Sequence, residues 1–286
     1  MKNKEVQKDW DLIIQPQTRW LDLRLKEVWR YRDLLLLFVK RDFIAQYKQT
    51  ILGPLWHFIS PIFTTLIYTL IFGNVAKLST DGMPQVVFYM SGITIWNFFA
   101  QTFTGTGATF LSNAGIFGKV YFPRLVSPLA TVLSKLIKFG IQLLLLTGFV
   151  IYYKITGYLP GLNWVNLLYL PFVALLMGGF GLGLGIILSA LTTKYRDLNI
   201  FIAFGVNLLM YATPVIYPLS SVPDEYRYFI EWNPISPLIE FFRYIFTGAG
   251  TFTTYTLGYS TLMMGIFLFL GILIFNQVEK TFMDTV

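Results

Sequence analysis

The sequence predicts an all-α integral membrane protein with six transmembrane helices, and three observations carry that reading. Six apolar stretches, each long enough to cross a bilayer, account for most of the 286 residues. Charged residues make up only 13% of the chain and mean hydropathy is +0.59, far from the roughly 25% charged composition of soluble domains. Lys and Arg also gather on one side of the alternating connections.

A hydrocarbon core of about 30 Å needs about 20 helical residues at about 1.5 Å each. The stretches at 52–76, 86–111, 125–153, 165–191, 199–217 and 259–276 fit that requirement. A soluble core of this size would not shelter six of them. Ahead of the first stretch stand Lys2, Lys4, Lys8, Arg19, Arg24, Lys26, Arg30, Arg32, Lys40, Arg41 and Lys48. The positive-inside rule therefore keeps the N-terminus cytoplasmic. Six spans return the C-terminus to the same side, together with Lys119, Arg124, Lys135, Lys138, Lys194, Arg196 and Lys280. Only Lys77, Lys154, Arg227 and Arg243 fall outside, where 218–258 carries Asp224, Glu225, Glu231 and Glu240. Topology and attraction to anionic lipid account for the net charge of +7, so no nucleic-acid partner is expected. The chain has no cysteine, which excludes disulfides and thiolate metal sites. Its polar first twenty residues do not read as a signal peptide, and the first span is expected to direct insertion.

Taken in order, the elements begin with an amphipathic segment in which Leu21, Leu25, Val28 and Trp29 recur at helical spacing among charged residues, a pattern suited to the headgroup layer. The apolar run at 34–39 is too short to span and reads either as a lipid anchor or as a lever for a partner. The first span opens with Pro54, tolerated in a first turn, and contains Pro61, expected to kink or interrupt it. His57, the only histidine, reads as hydrogen-bonded structure before a proton relay. The inside loop at 115–124 mixes aromatic and basic residues and has room for a short helix along the membrane; it reads equally as a docking element or an ordinary positive-inside loop. Lys135 and Lys138 enter the third span from the inner boundary, where they are expected to snorkel. Gly181 and Gly185 in the fourth span have the spacing of close helix packing, and no dinucleotide fingerprint is completed there. Prolines at 214, 218, 234 and 237 break the chain after the fifth span, and 237–248 reads as a short re-entrant or interfacial helix. Glu240 and Arg243, three apart on it, are expected to form a structural ion pair.

Several chemistries are missing from the sequence. No Walker A pattern occurs, and no span holds paired carboxylates, a metal cluster or a nucleophile beside a base, which disfavours a membrane enzyme. The spans also lack the buried acids of proton-coupled carriers.

The amphipathic N-terminal segment, the opening Leu52, Gly53, Pro54, Leu55 and Trp56 with Pro61, the loop at 119–124, and the segment at 213–218 followed by Asn233 and Pro234 together resemble the ABC-2 type permeases that export bacterial surface polysaccharides. That group comprises the O-antigen (Wzm-like), teichoic acid and capsule exporters. The resemblance covers about residues 20–280 and rests on the order and spacing of its motifs. It implies a homodimer in the bacterial inner membrane, paired with two ATP-binding cassette subunits that bind ATP and Mg, with no cofactor on this chain. It further implies an N-terminal interface helix containing Leu21, Leu25, Val28 and Trp29. A cytoplasmic coupling helix at Gly118, Lys119, Val120, Tyr121, Phe122, Pro123 and Arg124 would dock on the ATPase. Short re-entrant extracellular gate helices would include Pro214, Tyr217, Pro234, Pro237, Glu240 and Arg243. The implied organisation is a cytoplasmic tail and interface helix at 1–50, a six-helix transmembrane domain at 51–280 and a cytoplasmic tail at 281–286. The expected substrate is a lipid-linked polysaccharide, whose phosphates Lys40, Arg41 and Lys48 would attract and whose sugars Trp56, Phe63, Tyr68 and Tyr211 would meet in the channel. Export of a drug or small lipid, and a membrane enzyme of glycan assembly, are the alternatives.

Overall fold

In the computed structural model, which describes residues 25–48, 50–117, 119–159, 164–194 and 197–285, the described chain is helical, with no strand. The basic N-terminal region forms α1 (Leu25–Arg30) and, after a break at Tyr31, α2 (Arg32–Tyr47). A short 3-10 turn with Pro54 in its first turn, Gly53–Leu55, leads into α3 (Trp56–Tyr68). Pro61 does not interrupt α3, correcting that part of the expectation. The helix instead changes winding later, where Thr69–Val75 adopts the wider π form. Gly73 permits this close to α4 (Gln85–Gly107): a methyl group there would fall 2.6 Å from the Gln85 side-chain oxygen.

The second expected stretch, 86–111, is two helices, α4 and α5 (Thr109–Phe117). Gly105 and Gly107 raise the entropic cost of continuing, and the Thr104 and Thr109 hydroxyls bond back to the carbonyls of Ala100 and Gly105. The chain turns at Ala108. Then follow α6 (Val126–Ile155), a 3-10 segment at Trp164–Tyr169, α7 (Leu170–Lys194) and α8 (Leu198–Tyr211). The far end of the chain forms a 3-10 turn at Leu219–Ser221, α9 (Asp224–Glu231), α10 (Ser236–Thr247) and α11 (Thr254–Thr285). Gly248, with φ +73°, closes α10 in the left-handed conformation that favours glycine.

Among the described residues, four segments are long and apolar enough to cross a membrane: Gly53–Val75, Val126–Ile155, Trp164–Thr192 and Thr254–Gln277. Of the six expected stretches, four thus meet length and composition together. At 23 residues α4 has the length but carries Ser91, Thr94, Asn97, Gln101, Thr102, Thr104 and Thr106, and it lies in the middle of the bundle. At 14 residues α8 reaches only about 21 Å, because Pro214 disfavours helix at the residue before it.

α7 is the packing centre, and its glycines explain how. A methyl at Gly181 or Gly185 would come within 2.7 Å of the Cβ atoms of Thr102 or Thr106 on α4. On the opposite side, a methyl at Gly183 would lie 2.8 Å from the Leu268 backbone nitrogen, and one at Gly271 would lie 2.7 Å from the Gly183 carbonyl oxygen. The backbones of α7 and α11 therefore touch, as small-residue packing in lipid allows. Phe88, Phe99, Phe180, Phe242 and Phe246 fill the large core around this seam. A second core, at the basic end, joins Val28, Phe38, Val39, Phe110, Phe117, Phe122, Val126 and Phe275.

Candidate functional site

At the basic end, α2 lies against α5, the loop after it and the start of α6. Phe38 and Phe122 meet edge to face with ring centroids 5.6 Å apart, and Phe122 also contacts Phe117. Arg41 donates to the Asn113 side-chain oxygen at 3.2 Å, pairs with Asp42 at 2.8 Å, and lies 4.6 Å from the Phe38 ring centroid. The loop therefore cannot shift without loading the N-terminal helix.

A helix over 119–124, expected of a coupling element, is not what the structure has: the helix of this region is Thr109–Phe117, and 119–124 is turn and irregular chain, because Pro123 forces the residue before it away from helix. Within that loop Lys119, Val120 and Tyr121 are exposed, Phe122 and Pro123 are buried, and Arg124 stacks over Phe117 at 5.8 Å. Gly118 and Leu21 lie outside the described residues. Leu25 opens α1, where neighbouring residues face apart: Val28 is buried and Trp29 is 71% exposed. In α2, Leu36, Leu37, Lys40 and Arg41 are exposed, as is Lys48 just after it.

Of the expected channel aromatics, Trp56, Phe63 and Tyr211 are exposed, and Trp56 and Phe63 share one face of α3 with Ile67. Tyr68 differs. It packs against Phe72 and Tyr89, with its hydroxyl 3.9 Å from the Met210 sulfur, and so joins α3 to α4 and α8.

The opposite end is organised by one buried ion pair. Arg243 Nη1 donates to Glu240 Oε1 at 2.9 Å, Nη2 donates to the Val215 carbonyl at 2.6 Å, and the guanidinium lies 3.9 Å from the Phe88 ring centroid. Glu240 also accepts from the backbone amides of Leu219 at 3.4 Å and Thr251 at 3.1 Å. Both side chains are essentially inaccessible, and their partners satisfy most of what burial would otherwise leave open. Pro214 is buried beside them, Pro237 lies in the first turn of α10, and the Pro234 carbonyl accepts from Ser260 at 2.7 Å. The Tyr217 hydroxyl donates to the Tyr211 carbonyl at 2.8 Å, folding the chain back over the end of α8. On the rim, Ser220 donates to the Asp81 carboxylate at 2.7 and 2.8 Å. Asp81 and Gly82 both have positive φ, so the Asp-Gly turn between α3 and α4 holds that carboxylate outward.

Asn113, Asp81 and Ser220 were missed by sequence reasoning, although Asp-Gly is a turn signal. Gly92 was missed too: a methyl there would fall 2.5 Å from the Val215 carbonyl oxygen and 2.9 Å from Arg243 Nη2.

This two-ended bundle has matches among known proteins. The family pattern described as "ABC-2 type transporter" matches residues 33–247, running from α2 through α10. The chain belongs to the ABC-2 type transporter family. This ABC-2 protein is 31% identical over 254 residues to the O-antigen export system permease protein RfbA of Klebsiella pneumoniae, covering 88% of the chain and 94% of that relative. It is also 31% identical over 224 residues to RfbA of Myxococcus xanthus, covering 78% of the chain and 83% of the relative. Similarity extends at 22% identity to the polysialic acid transport protein KpsM of Escherichia coli, over 86% of the chain and 93% of that protein. Relatives of this ABC-2 protein are thus transport permeases, and the chain is a membrane protein.

Proposed function

We propose that the chain is the membrane permease subunit of an ATP-driven exporter that moves a lipid-linked, O-antigen-like polysaccharide across the bacterial inner membrane. The carrying observation is the 31% identity to an O-antigen export permease over 88% of the chain. ATP and Mg belong to a partner ATPase in this reading, present in two copies beside a homodimer of the permease. In this topology α4 supplies a span inside the bundle, and α8 with the turn at 212–217 completes a sixth. Residues 51–280 form the transmembrane unit, with both termini cytoplasmic.

The basic end then faces the ATPase. Lys119, Val120 and Tyr121 are the exposed docking face of a coupling element whose helix is α5, while Phe122 anchors it to α2. Closure of the ATPase dimer pushes this unit, and α2 transmits the load to α3. Lys40, Arg41 and Lys48 attract the phosphates of the carrier lipid at the inner boundary. Trp56, Phe63 and Tyr211, exposed in one protomer, form stacking surfaces for sugar rings once two copies enclose a path. At the other end, α9 and α10 act as the gate, with Glu240 and Arg243 holding it to the bundle.

The test is reconstitution of the permease with its ATPase and a glycan-lipid. Export should require both subunits and fail with an ATPase variant that binds but does not hydrolyse ATP. Export persisting without hydrolysis rejects the reading. In cells, deletion should leave polymer accumulated in the cytoplasm; loss of polymer synthesis would instead indicate an enzyme of glycan assembly.

A further inference from the structure

A groove of about 570 Å³ runs along one face of α7, walled by α4, α6 and α11. Its floor is Phe98 of α4, Gly178 of α7 and Met264 of α11. Phe98 is 3% exposed and Met264 9%, so the floor lies inside the bundle and not on its surface. Two glycines give the groove its depth: a methyl at Gly178 would come 3.2 Å from the Phe98 ring, and one at Gly179 would come 2.7 Å from the Met264 sulfur. Leu136, Pro171 and Leu175 form the mouth, and all three are exposed. Ile137 and Phe172 beside them are exposed as well, so the groove opens out of the apolar surface that a membrane protein presents to lipid.

No polar or charged side chain lines the groove. Water finds no hydrogen-bond partner in such a space, and neither does a sugar or a phosphate. Along α7 the lining runs from Pro171, in the first turn, to Leu182 at the middle of the helix, about 17 Å. Tyr169, just before that turn, lies 5.6 Å from Phe241 of α10, so the groove begins at the end of the bundle away from the basic residues. Its length is about half of a hydrocarbon core of about 30 Å, the depth of one leaflet. Spread over that length, the volume leaves a cross-section of about 34 Å², about 6 Å across. A helix of a second copy, about 10–12 Å wide with its side chains, is too thick to enter. A single hydrocarbon chain fits, lies parallel to α7 as chains in a leaflet lie parallel to a span, and supplies the dispersion contacts that Gly178 and Gly179 forgo. We infer that the groove is a binding site for one acyl chain of a membrane phospholipid from the leaflet opposite the basic end. The site is separate from Trp56, Phe63 and Tyr211, and it does not depend on which molecule is exported.

The test places the full-length permease in nanodiscs doped with phosphatidylethanolamine that carries a diazirine midway along one acyl chain, and maps the label after photolysis. Met264 in the floor and Leu262, 61% exposed on the same helix, lie at nearly the same depth, so their comparison separates a held chain from lipid in passing contact. Label at Phe98 and Met264 should exceed that at Leu262 by about tenfold and saturate as the doped lipid is raised. Ala174→Phe, which fills the groove from its α7 wall, should lower the label at Met264 by about tenfold and leave Leu262 unchanged. Should that variant fail to fold, Leu175→Trp at the exposed mouth is expected to act in the same direction. Label at Met264 no higher than at Leu262, or unchanged in the folded groove variant, overturns the inference. So does displacement of the label by equimolar polyprenyl phosphate, which assigns the groove to a carrier lipid, or a cross-link at these residues to a second permease chain, which assigns it to the dimer.

Discussion

Gly92 on α4 and Arg243 on α10 occupy adjoining space: a methyl on the glycine would come within 2.9 Å of one guanidinium nitrogen, which donates at 2.6 Å to the Val215 carbonyl. The glycine leaves the gap through which a carbonyl of the turn after α8 meets the only arginine on α10. Gly92→Ala must displace that carbonyl, whose backbone cannot swing aside as a flexible side chain would. The variant should lose about 2 kcal/mol or more, in the range of overpacked cores. A lowered thermal midpoint of the purified permease checks it, and an unchanged midpoint contradicts the contact.

Removing one member of the buried pair should cost more than removing both. Arg243→Met leaves the Glu240 carboxylate uncompensated and should destabilise by about 3–5 kcal/mol. The double variant Glu240→Leu with Arg243→Met should recover part of that loss, because the charge is removed with its partner. Unfolding in detergent, measured on single and double variants, gives the coupling. Strict additivity would show that the two residues do not support one another.

The α7–α11 seam makes a graded prediction. A methyl at Gly183 meets backbone atoms of Phe267 and Leu268, whereas one at Gly179 meets the flexible Met264 side chain at 2.7 Å. Gly183→Ala should therefore separate the helices and reduce folded yield and thermal midpoint. Gly179→Ala should cost less than about 1 kcal/mol, as Met264 repacks. Equal effects at both positions would remove backbone contact as the reason for Gly183.

At the basic end, stability and docking should separate within one loop. Phe122→Ala, at a buried position, should destabilise by about 3 kcal/mol by emptying the contact with Phe38 and Phe117. Lys119→Glu is exposed and should leave the thermal midpoint unchanged while weakening capture of the ATPase in co-purification. Retained capture in Lys119→Glu removes that residue from the docking face.

The rim contact between Ser220 and Asp81 predicts a change in gating with little change in folding. Ser220→Ala should alter stability by less than about 1 kcal/mol, since both side chains reach solvent. It should increase labelling of a cysteine introduced at Leu219, which is buried beneath the contact in this chain without native cysteine. Equal labelling with and without the Ser220 hydroxyl would mean the contact restrains nothing.

Hydropathy and the distribution of basic residues made the two-ended helical bundle legible from sequence, and i, i+3 spacing identified the Glu240 and Arg243 pair. The partners of that pair were not legible: Val215, Leu219 and Thr251 contribute backbone groups, which any residue possesses. Length and composition part company at two of the six expected stretches, for different reasons. In α4, threonine and glycine alternate with apolar residues because neighbouring helices cover it, so composition and location diverge. After α8, Pro214 ends the helix although the apolar run continues. The aromatic and basic residues at 119–124 suggested a short helix, but Pro123 excludes helix there and the helix lies earlier. Tyr68 shows the limit of reading aromatics one at a time, since its use in packing depends on Tyr89 and Met210, distant in sequence.

The shelter around Arg243 has a consequence for biosynthesis. Its contacts at Phe88, Val215 and Glu240, with the carboxylate also held by Thr251, span 163 positions of the chain. During translation, therefore, the guanidinium emerges long after its aromatic neighbour and before the last amide that secures its counterion. Until that amide is made this end of the bundle stays unlatched, so a chain halted before Thr251 leaves the counterion short of its last partner.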